Sequence, residues 1–202
     1  MANKISNLQR LFGDADPKQP NFKNFPDICT SNQSVSYMTK KSILLEYHIV
    51  ENVSLLPQDE VMLVREAVAM TRNAYAPYSE FSVGAAILLE NGEVVKGSNQ
   101  ENGAYPSGLC AERVAAFAAS ADYPGVPMKK IAICAGSDLL NADEPVSPCG
   151  ACRQVLLEYE TLQQRNLKIL LVKENGKILV VNRVEDLLPL SFTGAKLKKA
   201  AR

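Results

Sequence analysis

Two short stretches of this chain have to meet in space, and they constrain it more than anything else in it. The first is Leu109-Cys110-Ala111-Glu112-Arg113 and the second is Pro148-Cys149-Gly150-Ala151-Cys152-Arg153-Gln154. Together they supply three thiols and one carboxylate. Three thiolates can hold a Zn²⁺ ion and leave its fourth tetrahedral position open, which separates a catalytic zinc site from a closed structural one. Glu112 lies two residues beyond Cys110. That is too close along the chain for a comfortable fourth ligand, and well placed to handle protons beside a metal-bound water.

Both motifs fall at expected helix starts, each after a loop. A thiol there ionises more easily, because the helix dipole and the free N–H groups favour the thiolate. Cys149 and Cys152 are one helical turn apart, so both can face one ion. Three thiolates on Zn²⁺ leave a net negative charge, which works against ionising a bound water. Arg113 and Arg153, each next to a cysteine, either offset that charge by donating to sulfur or form surface ion pairs. The CxxC segment alone also reads as a redox dithiol or half of a zinc knuckle. A proline before CxxC, joined to Cys-Ala-Glu at a preceding helix start, is a far more specific combination.

A chain of 202 residues is one ordinary domain with room for an appendage. At 47% apolar it can build a sizeable core. Lys plus Arg equals Asp plus Glu at 22 each, so no basic field argues for a nucleic-acid partner. No apolar run is long enough to span a bilayer, and residues 1–7 lack the apolar core of a signal peptide. The expectation is a cytoplasmic protein without membrane or nucleic-acid partners. Of the five cysteines three lie in the motif pair, which suits metal-bound thiolates in a reducing compartment better than a disulfide framework.

Residues 1–40 are polar, proline-punctuated and aperiodic, and read as a flexible leader in which Cys29 is a free thiol. The alternating stretch 42–49 predicts a strand, with the lone His48 as a surface or core residue rather than a ligand. Pro57-Gln58-Asp59-Glu60 opens a helix that keeps the 3.6 period through Met70. Residues 81–89 and 93–98 predict two strands joined at Asn91-Gly92, a strong hairpin signal. Residues 99–106 form a polar loop, and an alanine-rich helix follows Cys110. Residues 130–135 predict a strand holding Cys134 as a small core residue. A polar loop, 138–146, leads to the helix of the second motif. Strands at 167–172 and 177–181 turn at Asn175-Gly176, and a short segment, 184–189, precedes Phe192. The basic tail, 196–202, reads as a solvated end. The domain proper is thus 41–195, an α/β sandwich with one mixed sheet of about five strands and helices on its faces.

The chain resembles the small homotetrameric cytidine deaminases from about Val61 to Phe192. The likeness rests on Ala76-Pro77-Tyr78-Ser79, Phe81-Ser82-Val83-Gly84-Ala85-Ala86, Asn99-Gln100-Glu101-Asn102 and Tyr105-Pro106, together with the two thiol motifs, Ser147 before the second, and Leu187-Leu188-Pro189 with Phe192. It implies a three-layer α-β-α sandwich and zinc on Cys110, Cys149 and Cys152. It implies that a zinc-bound hydroxide attacks C4 of cytidine or 2′-deoxycytidine, releasing ammonia in pyrimidine salvage, with Glu112 as general base and acid in turn. Asn99 and Glu101 match the family's pair for the sugar hydroxyl. The Ala111 N–H would meet the base carbonyl and the Ser147 carbonyl the departing amine. Phe81 would pack on the ring, and Ala104 would offer its backbone. Tyr105 and Phe192 match positions that reach a neighbouring subunit's site, so the active unit would be a homotetramer. Deaminases of the same fold act on cytosine-containing nucleoside antibiotics, which is one alternative. A structural zinc domain is another, although such a site has no use for Glu112.

Overall fold

The run Ser82–Leu89 is apolar at nearly every position because the strand it forms is covered on both faces. The computed structural model describes residues 39–136, 145–173 and 176–194. Most of the expected leader with Cys29, residues 138–144 of the expected loop, and the basic tail lie outside them. The chain divides into two units, Met1–Ser42 and Ile43–Arg202, and every element below belongs to the second.

Six strands form one sheet in the order β1-β6-β5-β4-β2-β3. They are β1 (His48–Val50), β2 (Ser82–Leu89), β3 (Val94–Ser98), β4 (Met128–Gly136), β5 (Lys168–Val172) and β6 (Ile178–Val181). Every neighbouring pair is antiparallel except β4 and β5. A parallel pair needs a long crossover, and helix α3 (Gly150–Gln163) lies in it. Helix α1 is Gln58–Thr71 and helix α2 is Ala111–Asp122. The sheet is thus mixed, with six strands rather than about five. All six correspond to strand stretches expected from the sequence, β1 being the short edge member. The strand expected over 42–49 shrinks to His48–Val50, since β6 offers only four residues to pair with. The apolar residues before it, Ile43, Leu44, Leu45 and Tyr47, stay exposed.

Side chains alternate across the sheet. Ala85, Ile87, Ile131, Ile133, Ile169 and Leu171 face α2 and α3, packing on Ala111, Ala115, Ala116, Leu156 and Leu157. Ala86, Ala132, Cys134, Leu170, Val172, Ile178 and Val180 face α1 through Leu63, Val64 and Ala67. Helices therefore cover both faces, giving three layers. Cys134 is buried in the α1 layer, on the opposite face from α2 and α3.

Two buried carboxylates fasten the layers. Glu60, in the first turn of α1, accepts from Lys130 Nζ at 2.8 Å and Lys168 Nζ at 2.7 Å, tying the helix to β4 and β5. Glu160 of α3 accepts from the N–H groups of Leu167, Val184 and Glu185, at 2.8, 2.7 and 3.0 Å. That pins α3 to the start of β5 and to the 3₁₀ turn Val184–Leu187.

Close approach of α2 to the sheet depends on Gly97 in β3. A Cβ there would stand 2.6 Å from both Ala111 O and Ala115 N, which backbone atoms cannot accommodate without moving. Gly97→Ala is expected to lift the first turn of α2, which carries Glu112 and follows Cys110. Such overpacking costs about 1–3 kcal/mol. Thermal unfolding together with zinc per chain and turnover should show all three falling in this variant. An unchanged melting temperature would mean that α2 does not rest on Gly97.

Candidate metal centre and active site

The two thiol motifs meet because α2 and α3 lie on the same face of the sheet. Cys110 is the N-cap of α2 and Cys149 the N-cap of α3, both with extended backbone and neither capping with its side chain. Each sulfur is therefore turned away from its own helix end and left for another partner. Cys152 lies in the first turn of α3 and is fully buried. The Cys110 and Cys149 sulfurs are 3.9 Å apart and those of Cys149 and Cys152 are 3.4 Å apart. All three fall within 4.8 Å of one another. A tetrahedral zinc with bonds of about 2.3 Å to sulfur needs sulfurs roughly 3.8 Å apart, so the donor set fits the ion.

The acidities point the same way. Cys110 is held down to about 5, first by a hydrogen bond from Cys152 and then by the donors Arg113 and Cys149, against its burial. Cys152 is pushed up, by its hydrogen bond to Cys110 and by burial. Three thiols so close cannot all ionise without a cation among them. Helix dipoles at two N-termini and a guanidinium favour the charged form. Arg113 Nη2 donates to Cys110 Sγ at 3.9 Å and to the Gly108 carbonyl at 3.5 Å. Arg153 bonds carbonyls rather than sulfur. Its Nε donates to Pro148 O at 2.8 Å and its Nη1 to Leu187 O at 2.9 Å. It braces the loop before α3 against the 3₁₀ turn.

Glu112, the second residue of α2, sits in the same corner. Its carboxylate is 4% exposed and its Oε2 has no hydrogen-bond partner. Burial, the largest cause, raises its pKa above the usual carboxylate range, and the Cys110 charge adds to that. A buried carboxylate oxygen without a partner costs free energy in an isolated protein, so Oε2 points to chemistry at the neighbouring cation site.

A cavity of about 630 Å³ opens onto this corner. Phe81, Asn99, Glu101, Tyr105, Ser147 and Cys149 line it together with Cys110, Glu112 and Arg113. Asn99 is buried and braces the segment after Phe81, accepting from Val83 N–H at 2.7 Å and donating to Phe81 O at 2.8 Å. Glu101 accepts from the N–H groups of Tyr78 and Ser79, at 3.0 and 3.3 Å, and from the Ser79 hydroxyl. These bonds, the hydroxyl's first, hold its carboxyl below the ordinary range. Ala111 is buried at the first position of α2. Ala104 donates its N–H to Asn102 Oδ1 at 2.8 Å. Tyr105 is 74% exposed and meets the Tyr78 ring edge-on with centroids 5.8 Å apart. Phe192 is 59% exposed, away from the cavity wall, with its carbonyl accepting from Gln154 Nε2 at 3.0 Å. The sequence reading missed Tyr78 and Ser79, although both stand in the Ala76–Ser79 stretch it singled out. His48 is exposed on edge strand β1 and joins no metal-ligating cluster among the described residues.

Comparison with known proteins follows the same residues. A family model for the cytidine and deoxycytidylate deaminase zinc-binding region matches residues 57–164. A cytidine deaminase of Halalkalibacterium halodurans is 42% identical over 135 residues, 67% of this chain and 95% of that protein. One from Sporosarcina psychrophila is 40% identical over 144 residues, 71% of this chain and 98% of that protein. The crystal structure of a cytidine deaminase from Burkholderia pseudomallei superposes with a TM-score of 0.57 at 38% identity, covering 65% of this chain and 97% of that one. The Mycobacterium tuberculosis enzyme gives 0.51 at 37%, covering 65% and 94%.

The sulfur geometry generates a direct test. Stripping metal with a chelator should abolish turnover and lower the melting temperature, because the ion ties two helix starts together, and adding Zn²⁺ back should restore both. Cys152→Ala should lose zinc and stability together. Metal analysis with thermal unfolding reads both outcomes, and a Cys152→Ala protein with full zinc would refute the three-sulfur site.

Proposed function

We infer, from the premise that this chain belongs to the cytidine and deoxycytidylate deaminase family, that it hydrolyses cytidine and 2′-deoxycytidine to uridine and 2′-deoxyuridine, releasing ammonia. The observation that carries this is the buried Glu112 carboxylate, with one unbonded oxygen, beside three converging thiols. Cys110, Cys149 and Cys152 hold zinc, which when bound supplies the Lewis acidity that makes water acidic near neutral pH.

The protein's own groups do the rest. Glu112 takes one proton from the attacking water and delivers it to ring N3 as C4 gains oxygen, then takes the second from the C4 hydroxyl and delivers it to the amine as the C4–N bond breaks and the C4 carbonyl forms. One water enters and one ammonia leaves, so protons and electrons balance. Burial that raises its pKa suits both directions of transfer, since a general acid–base works best with its pKa near the operating pH. Arg113 holds positive charge against Cys110 and limits the excess on the sulfurs.

In the same reading the substrate lies in the 630 Å³ cavity. Ala111 heads α2, where a backbone N–H has no acceptor within the helix, and it takes the base carbonyl. The Ser147 carbonyl receives the amine, Phe81 packs on the ring, and the Ala104 backbone closes the loop side. Asn99 and Glu101 take the sugar hydroxyl, a contact that a free base cannot make, so nucleoside is preferred. Tyr105 and Phe192 are large, exposed aromatics, as residues completing a neighbour's site in a homotetramer would be. The enzyme then serves pyrimidine salvage in the cytoplasm, with residues 41–195 as the catalytic domain, 1–40 as a leader and 196–202 as a basic tail.

Two measurements test this. Glu112→Ala should keep its zinc, since no sulfur is touched and alanine is a good helix former. It should lose turnover by at least about 10⁴-fold, the top of the range for one general acid–base, because this group serves several transfers. Near wild-type turnover in that variant would favour a structural zinc domain. Sedimentation at micromolar concentration should show one tetrameric species, and a fully active monomer would end the shared-site reading.

A further inference from the structure

Every hydrogen bond that the structure gives the Glu101 carboxylate comes from two consecutive residues. Oε2 accepts from Tyr78 N–H at 3.0 Å and Ser79 N–H at 3.3 Å, and Oε1 accepts from the Ser79 hydroxyl. The same hydroxyl oxygen accepts from Phe81 N–H at 3.2 Å. Between Ser79 and Phe81 stands Glu80 at φ +54°, the left-handed region that a residue with a Cβ enters at a cost. The Glu80 N–H donates to Ala76 O at 3.1 Å, and Ser79 Oγ bridges across the residue to Phe81 N–H. Ser79, Phe81 and Glu101 all line the cavity.

We propose that Ser79 is a positioning residue for sugar recognition, its hydroxyl setting the orientation of the Glu101 carboxylate. The proposal rests on the reading that Glu101 takes a sugar hydroxyl. A carboxylate has about four acceptor positions over its two oxygens. Two on Oε2 and one on Oε1 are used by residues 78 and 79. The remaining one, on Oε1, is where a ligand hydroxyl donates, and the Ser79 hydroxyl fixes how that oxygen turns. Without it the carboxylate keeps its place through Oε2 alone and rotates. The Phe81 N–H also loses its acceptor, but Asn99 Nδ2 still holds the Phe81 carbonyl at 2.8 Å, so the ring contact persists while the sugar contact loosens. Ser79 touches neither the thiols nor Glu112, so the chemical step keeps its groups.

The test compares cytidine with 2′,3′-dideoxycytidine, which lacks both ring hydroxyls, for wild type, Ser79→Ala, Ser79→Thr and Glu101→Gln, with zinc content and melting temperature measured for each. Ser79→Ala should lower kcat/KM for cytidine by about 10–100-fold, the range for losing a hydrogen bond to a charged group. The loss should fall in KM rather than kcat. Dideoxycytidine, which has no hydroxyl to misplace, should lose no more than about threefold, so discrimination between the two substrates collapses. Ser79→Thr keeps the hydroxyl on an exposed residue and should restore discrimination. An equal loss on both substrates, a loss confined to kcat, or failure of threonine to rescue would overturn the proposal. Glu101→Gln separates the layers. If it collapses discrimination and Ser79→Ala does not, only the role of Ser79 falls. If it leaves discrimination intact, the sugar reading of Glu101 falls with it.

Discussion

Three sulfurs within 4.8 Å of one another are the constraint on which the rest of this structure depends. They come from the starts of two helices separated by a strand and a loop in sequence. Packed thiolates repel, and the site is stable as a cluster only around a cation. The fold supplies the geometry in two ways. The parallel β4–β5 pair requires a crossover, and α3 runs through it with Cys149 at its N-cap. Glycine at position 97 lets α2 settle onto β3 with its first turn in backbone contact distance, which brings Cys110 to meet the α3 thiols.

The chemistry grows from what surrounds that cluster. A carboxylate beside a dicationic centre would normally be drawn in as a ligand or left ionised. Glu112 is neither bonded through Oε2 nor exposed, and burial raises its pKa. Glu101, in the same cavity lining, is the reverse case, a carboxylate held below its ordinary range by donated hydrogen bonds. One cavity thus holds a carboxyl whose pKa is raised by burial and a carboxylate whose pKa is lowered by donated hydrogen bonds, and environment alone sets the difference.

Much of this was legible in the sequence, for identifiable reasons. Thiol spacing, a Pro before CxxC and Glu112 two residues after Cys110 encode the metal corner locally. Asn91-Gly92 and the apolar 82–89 run encode the β2–β3 hairpin at one edge of the sheet, and Gly92 takes φ +90° in its turn. What escaped depends on partners distant in sequence. The length of β1 is limited by β6, more than a hundred residues on. Glu60 and Glu160 look like surface acids until Lys130, Lys168 and three backbone N–H groups surround them. Arg153 follows a cysteine as Arg113 follows one, yet it turns to the Leu187 carbonyl because the 3₁₀ turn packs there. The bridge from Ser79 to Phe81 is set by the left-handed turn at Glu80, which no glycine or asparagine announced.

The proposed chemistry stands on an open zinc site with three sulfur ligands from Cys110, Cys149 and Cys152. Zinc K-edge X-ray absorption on the holoenzyme tests it most directly. Three sulfurs at about 2.3 Å with one oxygen or nitrogen at about 2.0 Å is the predicted shell. A shell of four sulfurs would make the centre a closed structural site, and the catalytic reading would be contradicted.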